Sequence, residues 1–218
     1  MIRAVIFDMD GLMLDTERLV IKAWDWAGEQ LGVGPFGHLA QQTLGMTAEA
    51  DRAMLRREFG DCVTLEQVNE LKEVFFHRYF AERGVPVKNG LFDLLKWLKG
   101  EGIKTAVATS TYESVARPEL ELAGVLGYFN EVVCGNMVKH GKPAPDIFLL
   151  AAEKLGVSPE NCMVLEDSPN GIRAAHAAGM YPVMVPDLVQ PDEEIRSMTM
   201  RCVESLAYIP SVIEELNQ

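Results

Sequence analysis

Cysteine is scarce and scattered. The four, Cys62, Cys134, Cys162 and Cys202, include no pair at the close spacing of a zinc or iron–sulfur site. They read as reduced packing residues rather than a disulfide frame. Long apolar runs are lacking too, none approaching the roughly 18 residues of a membrane span, so no membrane partner is expected. Basic charge is in short supply, with 20 Lys and Arg against 32 Asp and Glu, a net charge of −12. A nucleic-acid backbone needs a basic footprint, so no nucleic-acid partner is expected either. There is no internal repeat and no low-complexity tract. The start, Met1-Ile2-Arg3, runs into a strand without a charged leader, an apolar region or a small-residue cleavage site, which predicts a cytoplasmic protein. Nothing in the sequence sets the oligomeric state.

Small anionic ligands are not excluded by this acidity, because a few cations, a metal and backbone N–H groups can build a local anion site. What the chain does have is alternation. Strand-like apolar runs at Ala4–Phe7, Thr105–Ala108, Val132–Cys134, Met163–Leu165 and Val183–Val185 are separated by helical patterns. The expected class is α/β, a doubly wound parallel sheet of Rossmann-like type. One stretch breaks the rhythm: residues 17–83 show helical patterns and no convincing strand. They predict an all-helical cap domain inserted into a discontinuous core of residues 1–16 and 84–218. An insert placed directly after the first strand is expected to overhang the end of that strand.

Chemistry gathers at four strand ends. Asp8 and Asp10 follow Ala4–Phe7 and precede Gly11. Ligands of open α/β sheets bind outside the carboxyl ends of the strands, so this pair is positioned to react. Gly11 allows a sharp turn that can give the two acids different tasks. Thr109-Ser110-Thr111 follows the second run and opens a helix, where a phosphate would meet a hydroxyl and helix N-terminal N–H groups. Lys142 stands between Gly141 and the Pro143-Ala144-Pro145-Asp146 helix start, held by stiff backbone and able to pair with an aspartate and a phosphate oxygen. Glu166-Asp167 ends a fourth strand. Adjacent acids need a nearby cation, and Mg2+, a hard ion that takes carboxylates, waters and phosphate oxygens, suits them. Asp8 and Asp167 fit as direct ligands, with the backbone carbonyl near Asp10 and with Glu166 behind.

In that order and on those elements, Asp8-Met9-Asp10-Gly11, Thr109, Lys142-Pro143 and Glu166-Asp167 resemble the four motifs of the haloacid dehalogenase superfamily. The helical insert after Asp15-Thr16-Glu17, with Lys142-Pro143-Ala144-Pro145-Asp146-Ile147-Phe148 and Leu165-Glu166-Asp167-Ser168, resembles the subgroup of β-phosphoglucomutase and small-metabolite phosphatases. The resemblance implies a Mg2+-dependent phosphomonoester hydrolase acting on a sugar, polyol or nucleotide-like phosphate. Asp8 would attack phosphorus to form an aspartyl-phosphate, and Asp10 would protonate the leaving alcohol and then activate water. Lys142, Thr109 and the N–H groups near Met9, Asp10 and Ser110 would hold the phosphate oxygens. Asp10 also argues against the dehalogenases of the superfamily, which lack the second acid of the first motif.

The alternative within the subgroup is a sugar phosphomutase, which must grip a second phosphate. In β-phosphoglucomutase a cap loop carries lysine, glycine and arginine, and a histidine follows the first motif. Here the matching loop is Leu44-Gly45-Met46-Thr47-Ala48, with leucine and alanine at the charged places and Val20 at the histidine place. Hydrolysis is therefore expected, with Gly45, Met46 and Thr47 setting specificity. Met9, Met13 and Met46 are expected to wall the entrance. A catalytically silent binding module is the third reading.

Overall fold

The structure is a computed structural model that describes residues 1–43 and 48–218; Gly45, Met46 and Thr47 lie outside the described residues. Two compact units divide it: Met1–Leu14 with Val87–Gln218, and Asp15–Pro86.

The first unit is built on six parallel strands, β1 (Ala4–Phe7), β2 (Lys104–Thr109), β3 (Glu131–Cys134), β4 (Cys162–Glu166), β5 (Tyr181–Met184) and β6 (Arg201–Cys202). Their order is β3-β2-β1-β4-β5-β6. The expected α/β class and the five apolar strands are found; β6 was not foreseen, because its two residues are exposed and carry no apolar run. β1 and β4 are buried along their whole length, which is why they read as continuous apolar runs without alternation. Phe7 lies opposite Val107 of β2 on one side and Leu165 of β4 on the other. β1 is thus the strand at which the order reverses, and a doubly wound sheet opens its ligand crevice at such a point.

Helices cover both faces. Of the ten α-helices among the described residues, numbered in chain order, α5 (Leu91–Gly100), α6 (Glu113–Leu122), α7 (Asp146–Leu155), α8 (Pro169–Ala177), α9 (Glu193–Met198) and α10 (Ile209–Asn217) belong to this unit. α7 buries Ile147, Phe148, Ala151, Ala152 and Leu155, one helical face, against Ile6, Ala108, Val133 and Val164. Each large side chain so buried contributes about 1.5–3 kcal/mol. Gly156, in the left-handed region at φ 64°, stops α7. α8 starts where Ser168 Oγ accepts from Gly171 N, with Pro169 in the first turn.

The second unit holds α1 (Glu17–Gln30), α2 (Gly37–Thr43), α3 (Ala48–Phe59) and α4 (Leu65–Arg83). Its own core gathers Trp24, Phe36, Leu39, Met54, Leu55 and Val68, with Trp24 set edge-on to Phe36 at 5.7 Å. Thr64 and Gln67 form a capping box at the start of α4. No described helix is long and apolar enough to cross a membrane.

Candidate active site

β1 delivers Asp8 to the sheet's carboxyl end, and its amide still pairs with Leu165 O of β4 at 3.0 Å. The residue is buried, 7% exposed. Beyond it the chain reverses, with Gly11 in the left-handed region (φ 81°) and both Met13 N and Leu14 N donating to Met9 O. This turn carries Asp10, which remains half-buried. It also folds Met9 and Met13 fully into the core at 0% exposure. The expectation that they wall an entrance is therefore corrected, and Met9 has only its backbone to offer a ligand.

Lys142 draws the strand ends together. Its side chain is 7% exposed, and its ammonium donates to Asp8 Oδ1, to Glu166 Oε1 at 2.6 Å and to Ala108 O at 3.0 Å. The ring of the buried Phe148 lies beneath it, 5.0 Å from the centroid. Burial works against this ammonium, but Asp8 and Glu166 overcome it and hold the pKa above the ordinary lysine range. Lys142 is charged. Asp8 bears the greater cost: burial pushes its carboxyl up to about 8, Lys142 opposes the shift, and Glu166 and Asp10 add to it.

Glu166 is fully buried and satisfied on both oxygens. Oε1 takes Lys142; Oε2 accepts from Asp167 N at 3.1 Å, Ser168 N at 3.0 Å and Ser168 Oγ at 2.8 Å. The residue thus fixes Lys142 and the turn that presents Asp167. Carboxylate oxygens of Asp8, Glu166 and Asp167 lie within 4.8 Å of one another. Carboxylates gathered so closely repel one another when ionised, and the donors are all oxygen. That is the charge and the chemistry a hard divalent cation requires.

A second cluster flanks Asp8. Thr109, 1% exposed, accepts from Thr111 N through Oγ1 at 3.1 Å. The Thr111 hydroxyl donates to Asp10 Oδ2 at 2.8 Å. Ser110 lies exposed between them. The loop after β3 supports this stretch, for Gly135 N donates to Thr111 O at 3.1 Å and Glu113 N donates to Asn136 Oδ1 at 2.9 Å. His140 stays outside the cluster, its Nδ1 2.9 Å from Asp146 Oδ1 at the start of α7.

Asp8, Asp10, Thr109, Lys142, Glu166 and Asp167 are thus brought to one end of the sheet. Residues given no role of their own from sequence also serve the site: Thr111, named there only within the Thr109-Ser110-Thr111 stretch, Ser168, named only at the end of the fourth motif, and Gly135 and Gly171. Ser168 had a local signal as Ser before Pro at a helix start, and Thr111 as part of a hydroxyl run after a strand. Gly171 is required by contact, since a Cβ there would fall on the Glu166 carboxylate. Because that carboxylate is fixed by Lys142, Ser168 and the Asp167 amide, it cannot swing aside. Gly171→Ala is expected to lower stability by about 1–3 kcal/mol, the cost of overpacking, and to weaken activity by displacing Lys142. A thermal melt beside a kinetic assay checks both; an unshifted melting temperature counts against the anchoring role.

A family model described as haloacid dehalogenase-like hydrolase matches residues 2–179. The chain belongs to this family. Within the haloacid dehalogenase-like hydrolases it is 35% identical over 181 residues to the phosphorylated carbohydrates phosphatase of Thermotoga maritima, covering 81% of this chain and 82% of the relative. It is 37% identical over 191 residues to a Drosophila melanogaster protein named probable pseudouridine-5'-phosphatase, covering 84% and 80%. The crystal structure of CbbY from Rhodobacter sphaeroides in complex with phosphate superimposes with a TM-score of 0.81 at 32% identity, over 96% of each chain. This haloacid dehalogenase-like chain is an enzyme of the phosphatase branch.

Proposed function

We propose that the enzyme hydrolyses phosphate monoesters of small metabolites, sugar phosphates first among them, through an aspartyl-phosphate on Asp8. The observation that carries this reading is the Asp8 carboxylate at the end of the central strand, bonded to Lys142 and beside Asp167. Asp8 Oδ attacks phosphorus in line with the ester oxygen, the P–O ester bond breaks, and Asp10 gives its proton to the departing alkoxide. Asp10, now ionised, takes a proton from water, whose oxygen attacks the aspartyl-phosphate, releasing inorganic phosphate and restoring Asp8. Lys142, the Thr109 hydroxyl and the N–H groups of Met9, Asp10 and Ser110 hold the phosphoryl oxygens.

Asp8 and Asp167, with the Asp10 carbonyl, would hold Mg2+, and Glu166 stands behind them. Once bound there, the ion supplies positive charge that offsets repulsion between carboxylate and phosphate. Residues 17–83 form the substrate-selecting domain of this reading. The sugar-phosphate assignment leans on the relative that acts on phosphorylated carbohydrates. A cytoplasmic setting suits four unpaired thiols.

Phosphate release is the test. With Mg2+ the protein should release phosphate from p-nitrophenyl phosphate and, with higher kcat/KM, from members of a sugar-phosphate panel; chelation should stop both. Rapid conversion of β-glucose 1-phosphate to glucose 6-phosphate without inorganic phosphate would instead make it a mutase. Silence on every ester would make it a binding module.

A further inference from the structure

Asp10 must present one carboxylate oxygen to the leaving group, and it sits on a turn, where the direction of a side chain with two rotatable torsions depends on what it bonds. The structure supplies a restraint from the far side of the sheet's end. Thr111, 101 residues away in sequence, donates its hydroxyl to Asp10 Oδ2 at 2.8 Å. We propose that Thr111 is a positioning residue for Asp10, fixing Oδ2 as the anchored oxygen and Oδ1 as the one that carries the proton. The proposal rests on the phosphatase reading and adds to it a residue outside the four motifs.

The hydroxyl is itself held in place. Thr111 N donates to Thr109 Oγ1 at 3.1 Å, and Thr111 O accepts from Gly135 N at 3.1 Å. Gly135 permits that approach because a Cβ there would fall on the Ser110 carbonyl oxygen. Threonine is also stiff at χ1, being β-branched. A donor fixed at its backbone on both sides and at its side chain by branching gives Asp10 one direction. A hydroxyl hydrogen bond to a carboxylate is charge-assisted and short, the stronger kind. It also survives the proton's arrival: Oδ2 accepts from Thr111 whether Asp10 is ionised or protonated, so the transferable proton resides on Oδ1 in the acid form. Moreover, Thr109 and Thr111 are two residues apart and bonded. The hydroxyl assigned to the phosphate and the hydroxyl that aims the proton carrier therefore move as one piece, which ties phosphate placement to proton delivery.

The consequence is selective. Orientation of the acid matters for a leaving group that needs a proton and little for one that leaves as an anion. Phenyl phosphate releases a phenol of pKa about 10, whereas p-nitrophenyl phosphate releases a far more acidic one; the two esters have nearly the same shape. kcat/KM reports steps only through departure of the leaving group, so it isolates this proton transfer from the later hydrolysis of the intermediate.

For Thr111→Val, which keeps the shape and removes the donor, kcat/KM on phenyl phosphate should fall about tenfold or more, part of the general-acid contribution. On p-nitrophenyl phosphate it should stay within about threefold. Thr111→Ser, which restores the donor, should recover most of the loss, and both variants should melt as folded proteins. An equal loss on the two esters would assign Thr111 to the phosphate or to structure and overturn the proposal; so would a gain on phenyl phosphate, which would mean that the hydroxyl parks Asp10 away from the reaction. If the wild-type protein hydrolyses neither ester with Mg2+, the phosphatase reading falls and takes this proposal with it.

Discussion

Asp8→Asn is expected to abolish phosphate release and, with it, any covalent phosphoryl-enzyme detectable by mass spectrometry after acid quench. An amide cannot form the acyl phosphate, so the route through a covalent intermediate closes; removing a nucleophile of this kind costs up to about 10⁶-fold in kcat. A variant with near-normal turnover would end the nucleophile assignment. The same substitution should have a distinct effect on stability. Burial raises the Asp8 carboxyl from its ordinary 3.8 to about 8. Between those values the folded chain keeps a proton that the unfolded chain has released, so metal-free wild-type protein should lose stability as pH rises across that window. Asparagine carries no such proton and still offers Lys142 an acceptor. The metal-free variant should therefore melt with a flatter pH dependence from pH 5 to pH 8 than wild type, while added Mg2+ should stabilise wild type most. Parallel slopes for the two proteins would show that another group carries the dependence.

The contrast between what could and could not be read beforehand has a physical cause. Asp8, Thr109, Lys142 and Asp167 were legible because each lies within a few residues of a buried strand or a proline-stiffened helix start, and local pattern reveals such places. Parallel pairing, which sets β2 and β4 on either side of β1, is not local, yet it decides which strand ends meet. The Thr111 to Asp10 bond and the fit of Gly171 under Glu166 arise only from that pairing, so no spacing announces them. Met9 and Met13 were misplaced for a related reason: apolar residues in a turn look available until Gly11 folds the turn back onto the core. β6 offered no signal, since a two-residue exposed edge strand is held by its neighbour's backbone rather than by its own side chains.

Lys142→Met should separate the two duties of the lysine, balancing buried charge and holding phosphate. Methionine fills similar space over Phe148 but leaves Asp8 and Glu166 facing each other without the ammonium that now bonds both. Breaking a buried ion pair by removing one partner costs about 3–5 kcal/mol, and loss of an electrostatic phosphate holder costs about 10²–10³-fold in kcat. The single variant should show both losses, the first as a lowered midpoint in urea. Adding Glu166→Gln then removes the buried carboxylate that has lost its ammonium. Its amide oxygen can take the place of Oε2, accepting from the Asp167 and Ser168 amides and the Ser168 hydroxyl, while its NH2 points where Lys142 stood, toward Asp8. The double variant should regain most of the lost stability and none of the lost turnover, a coupling that a double-mutant cycle reads directly. If turnover returns with stability, Lys142 acts only as a buried counter-charge and has no hand on the phosphate. If stability does not return, the cost of the single variant lies in lost packing over Phe148 and not in the unbalanced carboxylates.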